Sequence, residues 1–154
     1  MKLPPEVAPF WRRFLETGPV DARNRLLGTD CFGDNQKDID ELAELVVSGV
    51  KRGTAPLLWS YEFDGDPPPT PGSLRVIVNW RGQARCVVET TRVDVVAYED
   101  VTAEFAAIEG EGDGSLAYWQ SVHWPYYERE CHRVGKQPSL QMPILCEQFR
   151  RVFP

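Results

Sequence analysis

The segment SLRVIVNWRGQARCVVETTRVDVVAY, residues 73–98, decides the fold. Its two halves, 73–80 and 84–98, are rich in β-branched and aromatic residues, and only the short segment RGQ separates them. Such a composition favours β-strands, and so short a connection favours antiparallel pairing. The segment therefore predicts a β-hairpin at the centre of the chain.

Helical patterns flank this hairpin, with apolar residues at helical spacing on either side. Asp38 and Glu41 fit an N-terminal capping box for one of these helices. In chain order the sequence predicts a helix at 5–18, an irregular segment at 19–37, a helix from 38 to about 49–52, a strand at 54–63, an irregular segment at 64–72, the hairpin, a short helix at 99–110, a longer helix at 114–135 that Pro125 kinks or breaks, and a strand within 140–153. With so few helices between strands, a small α+β domain on a barrel-like, mainly antiparallel sheet fits best.

Length and composition place the chain among ordinary globular proteins. Its 154 residues indicate a single domain with a core of its own. The sequence has neither a signal-peptide pattern nor an apolar stretch long enough to span a membrane, and its cysteines form no CxxC pair, so a cytoplasmic protein with reduced thiols is expected. The net charge of −6 argues against non-specific binding to duplex nucleic acid, but leaves room for a small site for one nucleotide or a short single strand.

The segment SGVKRGT, residues 48–54, joins the second helix to the following strand. A lysine at the end of a helix commonly does no more than complement the helix dipole. Here, however, glycines flank Lys51, and Thr54 follows at the mouth of the strand. The junction can therefore present an ammonium and a hydroxyl to one cleft.

The segment EGEGDGSLAYW, residues 109–119, precedes and begins the long helix. Asp113 or Ser115 can cap that helix by accepting hydrogen bonds from its free N–H groups. Neither Glu109 nor Glu111 is explained by capping, and both are either solvated or functional. The segment thus offers one candidate catalytic carboxylate beside an ordinary helix start.

Aromatic residues and histidines give weaker signals. Most of the aromatic side chains are needed for the core, although one or two, with Trp59 and Tyr61 as candidates, can stack on a base. His123 and His132 lack the spacing of a helical zinc pair, which argues against a structural zinc site.

Four blocks in order resemble the ASCH domain family, and in particular its bacterial stand-alone members. The blocks are FGD (32–34), ELVVSGVKRGTAPLLWSYE (44–62), VVETTRVDVVAYEDV (87–101) and AAIEGEGDGSLAYWQSVHWPYY (106–127). Residues 31–154 carry the resemblance, and residues 1–30 supply an N-terminal helix and an irregular lead-in to the same domain.

This resemblance implies a PUA-like fold, a small mixed or antiparallel β-barrel with flanking α-helices, whose cleft is associated with RNA or modified nucleosides. The family signature G-x-K-x-x-T/E-x-R is met by Gly49, Lys51 and Thr54, while Pro56 replaces its final arginine. Members that hydrolyse the acetyl amide of N4-acetylcytidine use a lysine, a threonine and a glutamate. Lys51, Thr54 and Glu111 fall on those positions, and Glu109 is the alternative to Glu111 if the alignment slips by two.

Two chemistries follow from this constellation. In the first, Lys51 is a neutral base that takes a proton from Thr54 or from water, and Glu111 assists; this amidohydrolase needs no metal. In the second, Lys51 stays charged and stabilises an anion, and Glu111 with Asp113 or Glu89 holds Mn²⁺ or Mg²⁺ for cleavage of single-stranded RNA.

RNA cleavage is ranked slightly ahead, and no tightly bound cofactor is expected apart from such a cation. Substrate contacts are expected from Trp59, Tyr61, Glu89 and Ser115. A non-catalytic RNA-binding module is the third hypothesis, and the protein is expected to be a monomer or a homodimer.

Overall fold

The structure, a computed structural model, describes residues 3–154. Its helices are α1 (Ala8–Thr17), α2 (Ala22–Arg25), α3 (Gln36–Val47), α4 (Leu58–Asp64), α5 (Ala103–Glu109) and α6 (Leu116–Val134), with a short 3-10 helix at Tyr98–Asp100. Its strands are β1 (Leu26–Asp30), β2 (Gly53–Thr54), β3 (Leu74–Val78), β4 (Ala84–Ala97) and β5 (Pro143–Phe153).

The strands form one mixed sheet in the order β1-β3-β4-β5-β2. The predicted hairpin is confirmed: β3 and β4 pair antiparallel, with Val76 opposite Val87 and Ile77 opposite Cys86. The strand predicted at the C-terminus is β5, which pairs antiparallel with both β4 and β2, while β1 runs parallel to β3. The α+β class is therefore confirmed, but the sheet keeps β1 and β2 as edges and does not close into a barrel.

Helices cover the sheet and divide the core into three clusters. One joins α1 to the hairpin through residues such as Trp11, Phe14 and Val76. A second packs α3 against the sheet, with Phe32 stacked on Phe149. The third and largest lies under α5 and α6, around Tyr127. The hairpin is buried because helices pack on the apolar side chains of both strands, and this burial is the main stabilising term.

Two sequence predictions about local structure are wrong. The strand predicted at 54–63 is only β2, after which the chain turns into α4. Its aromatic residues have high β-propensity, but Trp59 finds its contacts by packing on the α5–α6 cluster, so tertiary packing overrides propensity. The irregular segment predicted at 19–37 contains α2 and β1. Gly28 and Asp30 weaken the pattern of β1, which forms because it pairs with β3.

Side-chain oxygens cap the starts of α3 and α6, and one of these caps differs from the prediction. Asn35, rather than Asp38, caps α3, because its side chain accepts a hydrogen bond from the Asp38 N–H at 3.0 Å. Ser115 caps α6 as predicted, accepting from the Tyr118 N–H at 3.1 Å. The long helix continues through Pro125 and is not broken there.

The structure also bears on the cysteines and on the length and apolarity of the helices. All four cysteines are free thiols in the structure. Within residues 3–154, none of the helices combines the length and apolarity required to cross a bilayer.

Candidate functional site

A cavity of about 200 Å³ opens beside the two edge strands. Its wall combines the loop that follows β1, strand β2, helices α4 and α6, and the α5–α6 connection. The side chains that line the cavity include Asp30, Thr54, Tyr61, Arg75, Glu111 and His123. Both edges of the open sheet therefore contribute to one concave site.

Lys51 is fixed behind the cavity wall, in contact with two glutamates that line the cavity. Helix α3 ends at Val47, and the Lys51 N–H then bonds to the Leu45 carbonyl at 3.0 Å. The following N–H, of Arg52, bonds to the Ile108 carbonyl at 2.9 Å and ties the segment to α5. The lysine side chain consequently turns inward, where it is 1% exposed.

The Lys51 ammonium makes three hydrogen bonds, one for each of its protons. Nζ donates to Gly53 O at 2.7 Å, to Glu111 Oε1 at 2.8 Å and to Glu109 Oε2 at 3.3 Å. It also lies 5.1 Å from the centre of the Phe32 ring, within cation–π range. Lys51 is therefore saturated and held in one orientation.

Both carboxylates come from the end of α5. Glu109 is the last helical residue, and Gly110 then adopts φ +67, which turns the chain so that Glu111 also faces Lys51. Both glutamates line the cavity, but Glu109 is 1% exposed, whereas Glu111 keeps more solvent contact. The sequence left these two glutamates as alternatives, and the structure places both of them on the same ammonium.

His123 completes the cluster from α6. Its Nδ1 lies 2.9 Å from the Trp119 carbonyl, and because a carbonyl only accepts, Nδ1 carries a proton. Its Nε2 lies 3.5 Å from Glu109 Oε2, and its ring stacks on Trp119 at 4.2 Å. His123 and Lys51 thus approach Glu109 from two sides.

The charge of Lys51 is set by these neighbours. Burial by itself lowers the pKa of a lysine, but the charges of Glu109 and Glu111 and their hydrogen bonds outweigh it, so the pKa of Lys51 is raised. The ammonium form is accordingly favoured at neutral pH. These surroundings argue against the neutral-base version of the mechanism and favour the version in which Lys51 stays charged.

The two glutamates differ in proton affinity. Burial raises the pKa of Glu109, but the charges of Lys51 and His123 more than offset it, and its pKa is lowered. Burial, assisted by the charge of Glu109, raises the pKa of Glu111, and Lys51 reverses only part of that shift. Glu109 is therefore the fixed anion, and Glu111 is the carboxylate better suited to take and release a proton.

The structure brings together four of the residues singled out from the sequence. Thr54, Tyr61 and Glu111 line the cavity, and Lys51 contacts Glu111. Pro56, which replaces the signature arginine, lines the same cavity. The constellation predicted across a long stretch of sequence is therefore one spatial cluster.

Other candidates lie elsewhere. Trp59 packs on the α5–α6 core with Lys136 over its ring, and Ser115 is occupied as the α6 cap. Glu89, on β4, pairs with Arg25 of α2 and with Arg150 of β5. Asp113 is exposed and accepts from the Ser115 N–H at 2.9 Å, and hydrogen bonding by the Ser115 side chain and N–H lowers the pKa of Asp113. None of these four lines the described cavity.

The sequence analysis missed three cavity residues, namely Asp30, Arg75 and His123. His123 follows Trp119 at helical spacing, which is a visible signal for a shared face. Arg75 is the one charged residue in the otherwise apolar strand LRVIV, and a charge in a buried strand indicates a buried partner. Asp30 gave no signal because β1 itself was not predicted.

The same cluster also offers ligand atoms for a metal ion. One ligand atom each from Glu109, Glu111 and His123 lie within 4.8 Å of one another, and Glu109 Oε1 is buried without a hydrogen-bond partner. Two carboxylates and an imidazole form a reasonable donor set for Mn²⁺. However, the Lys51 ammonium already bonds to both carboxylates, so a metal would have to displace it or share its anions.

The turn at Gly110 offers a test of how the site is built. A Cβ at Gly110 would lie 2.3 Å from the Val50 carbonyl oxygen, at a positive φ that L residues avoid. We expect Gly110→Ala to lower the free energy of unfolding by more than about 2 kcal/mol, from strain and steric overlap together, as measured by urea denaturation.

Gly49→Ala is the matched control for that substitution. Gly49 also has a positive φ, but a Cβ there meets no atom within 4 Å, so only the backbone strain remains. Equal losses in the two variants would contradict the close packing of the α5–α6 connection on Val50.

Two solved structures share this architecture closely. An ASCH domain from Lactobacillus crispatus JV V101 is 30% identical, with a TM-score of 0.92, covering 100% of this chain and 98% of that chain. A protein from Enterococcus faecalis V583 is 26% identical, with a TM-score of 0.80, covering 96% of this chain and 88% of that chain. None of the curated proteins matches this sequence.

The sequence profile of the ASCH domain family matches residues 28–153, which is most of the chain and contains every cavity residue named above. Together with the two structural neighbours, this match establishes that the chain belongs to the ASCH domain family.

Proposed function

We propose that this protein hydrolyses the amide of an acylated nucleoside, with N4-acetylcytidine as the representative substrate. The family is PUA-like and associated with RNA, which supports a nucleic-acid-derived substrate. The observation that carries the proposal is the Lys51 ammonium, bonded to Glu109 and Glu111, two residues of a small cavity that Thr54 also lines.

The size of the cavity favours a single nucleoside. At about 200 Å³ it is smaller than the roughly 300–1,000 Å³ of pockets for drug-sized ligands. One base or nucleoside matches that space better than several nucleotides of a strand do.

The charge of the cavity also argues against a phosphate backbone as the main ligand. Acidic residues outnumber basic ones in and beside it: Asp30, Asp34, Asp38, Glu109 and Glu111 against Lys51, Arg75 and Arg129. Each of the three basic residues is already paired with a carboxylate. Sites for single strands instead rely on a positively charged groove that follows the backbone. An uncharged substrate is therefore favoured, and amide hydrolysis moves ahead of RNA cleavage.

The chemistry assigns one role to each residue. Glu111 takes a proton from water as the water oxygen attacks the amide carbon. Glu111 then delivers that proton to the amide nitrogen as the C–N bond breaks. The Thr54 hydroxyl donates a hydrogen bond to the carbonyl oxygen as negative charge develops there, and the Lys51 ammonium, whose three protons are already engaged, contributes through its charge alone. Glu109 is a positioning residue, because it holds Lys51 and keeps its charge.

The test is hydrolysis of N4-acetylcytidine by the purified protein in the presence of EDTA. We expect release of cytidine and acetate without added metal. A Thr54→Val variant should retain the fold but lose most of the rate, because the substitution removes only the hydroxyl. If the wild-type protein releases no cytidine from this substrate, the proposal is wrong.

Metal-dependent cleavage of single-stranded RNA is the second candidate, supported by the converging ligand atoms of Glu109, Glu111 and His123. It predicts that a labelled RNA is cut with Mn²⁺ and left intact with EDTA, and that His123→Ala abolishes the cleavage. RNA that is bound but never cut, with no cytidine released in the first assay, would instead identify a non-catalytic binding module.

A further inference from the structure

A buried ionic chain forms part of the cavity wall, and amide hydrolysis as described above does not use it. Arg75, in β3, donates from Nη1 to Asp30 Oδ2 at 2.7 Å and from Nη2 to Glu147 Oε2. The same Glu147 oxygen accepts from the Thr90 hydroxyl at 2.7 Å. The chain thus runs across the sheet from β1 to β5 and ends at the cavity with Asp30.

A contribution to stability does not by itself explain this buried ionic chain. Arg75 is 5% exposed and Glu147 is 0% exposed, so both charges have lost nearly all of their hydration. Buried ion pairs seldom stabilise a fold more than apolar residues of the same volume would. In addition, Arg75 Nε and Glu147 Oε1 are buried and have no hydrogen-bond partner among residues 3–154, which adds to the cost. Because this ionic chain costs free energy, we look for a role other than stabilising the fold.

The structural effect of the chain is to fix Asp30. Oδ2 is held by Arg75, and Oδ1 accepts from the Cys31 N–H at 2.8 Å, so the carboxylate has one orientation. Its side chain is nonetheless 35% exposed and lines the cavity. A carboxylate offers about four acceptor positions, and these two bonds leave the others free. Asp30 is therefore a preorganised hydrogen-bond acceptor in the cavity.

We propose that Asp30 is a specificity residue that accepts a hydrogen bond from a donor group of the bound nucleoside. Arg75 and Glu147 are the positioning residues that hold it. The proposal deepens the proposed function, since it names how the same cavity recognises its substrate.

Two parts of a nucleoside carry such donors: the ribose hydroxyls and the N–H groups of the base. Both are uncharged, in keeping with the excess of acidic residues around the cavity. A phosphate offers no comparable donor and would meet the Asp30 carboxylate with like charge. Asp30 thus selects a neutral, hydroxyl- or amino-bearing ligand over a phosphorylated one.

The experiment measures binding of cytidine, 2′-deoxycytidine and cytosine to the wild-type protein and to Asp30→Asn, by calorimetry at mildly alkaline pH. We expect Asp30→Asn to weaken cytidine binding by about 10- to 100-fold, the usual strength of a hydrogen bond to a charged group. Loss for cytidine alone identifies the 2′-hydroxyl as the donor. Loss for both nucleosides but not for cytosine identifies the 3′- or 5′-hydroxyl. Loss for all three ligands identifies an N–H of the base.

Asp34→Asn is the matched control, because Asp34 lines the same cavity but pairs with Arg129 at its exposed rim. Unchanged affinities in Asp30→Asn, equal losses in Asp34→Asn, or no nucleoside binding by the wild-type protein would each overturn the proposal. Thermal unfolding of every variant shows whether the fold is kept. Asp30→Glu, which retains the charge but displaces the oxygens, is expected to lose the same affinity.

These outcomes are separate from the outcome for the proposed function. Binding that depends on Asp30, with no hydrolysis of N4-acetylcytidine, would refute the amidohydrolase and leave the role of Asp30 standing. Hydrolysis that is indifferent to Asp30→Asn, together with unchanged binding, would do the reverse.

Discussion

Replacing Lys51 with methionine is expected to abolish amide hydrolysis and to lower the free energy of unfolding by about 3–5 kcal/mol. Methionine fills a similar volume but leaves Glu109, which is 1% exposed, facing Glu111 without the cation between them. The loss of activity has a separate cause, because the charge that stabilises the oxyanion is gone. Hydrolysis of N4-acetylcytidine and urea denaturation measure the two effects on the same sample.

Lys37→Met serves as the control for removing a positive charge. The Lys37 side chain is 80% exposed, and its ion pair with Glu41 spans 3.9 Å. Both activity and stability should be unchanged in that variant, since exposed ion pairs contribute little. A Lys51→Met protein that unfolds like the wild type would show that the buried ion cluster is not formed as described.

Replacing Glu111 with glutamine is expected to lower kcat by about 100- to 10,000-fold with little change in KM or stability. Glutamine can still accept the hydrogen bond from Lys51 through its amide oxygen, but it cannot carry a proton between water and the leaving nitrogen. Because the pKa of Glu111 is raised, the wild-type rate should fall with decreasing pH around a pKa above the ordinary 4.5. The pH–rate profile of Glu111→Gln should lack that acid limb.

Glu109→Gln separates the role of the neighbouring carboxylate. The pKa of Glu109 is lowered in the folded protein, so this group stabilises the fold at pH values above its ordinary pKa and loses that effect as the pH falls toward the lowered value. We expect Glu109→Gln to lose stability at neutral pH and to show a weaker acid dependence of unfolding. Equal effects of the two substitutions on kcat, with stability unchanged in both, would contradict the division of roles.

The family, the α+β class and the central hairpin could be predicted from the sequence, because both hairpin strands are rich in β-branched residues and the family blocks occur in order. Lys51, Thr54 and Glu111 were singled out from a short motif and from the family resemblance, and their roles stay a prediction. The protonation state of Lys51 could not be predicted. It depends on whether one or two carboxylates reach a buried ammonium, and that depends on the turn at Gly110.

The strand and the cavity residues that could not be predicted from the sequence share one physical cause. Strand β1 forms by parallel pairing with β3, which requires contacts between distant segments that no local pattern records. With β1 unassigned, Asp30 stayed outside the candidate site, and Arg75 had no visible partner. The residues 58–64 were misassigned for the converse reason, because their local propensity for a strand is overridden by packing.

The open sheet leaves β1 and β2 as edge strands. An exposed edge strand is a template on which another chain can add a strand and begin aggregation. Here β2 is only two residues long, which is too short to serve as such a template. Asp30 and Thr54, one from each edge strand, both line the cavity, so both edges of the open sheet contribute to the space available to a ligand. Lengthening β2 would therefore extend an unpaired edge next to that space.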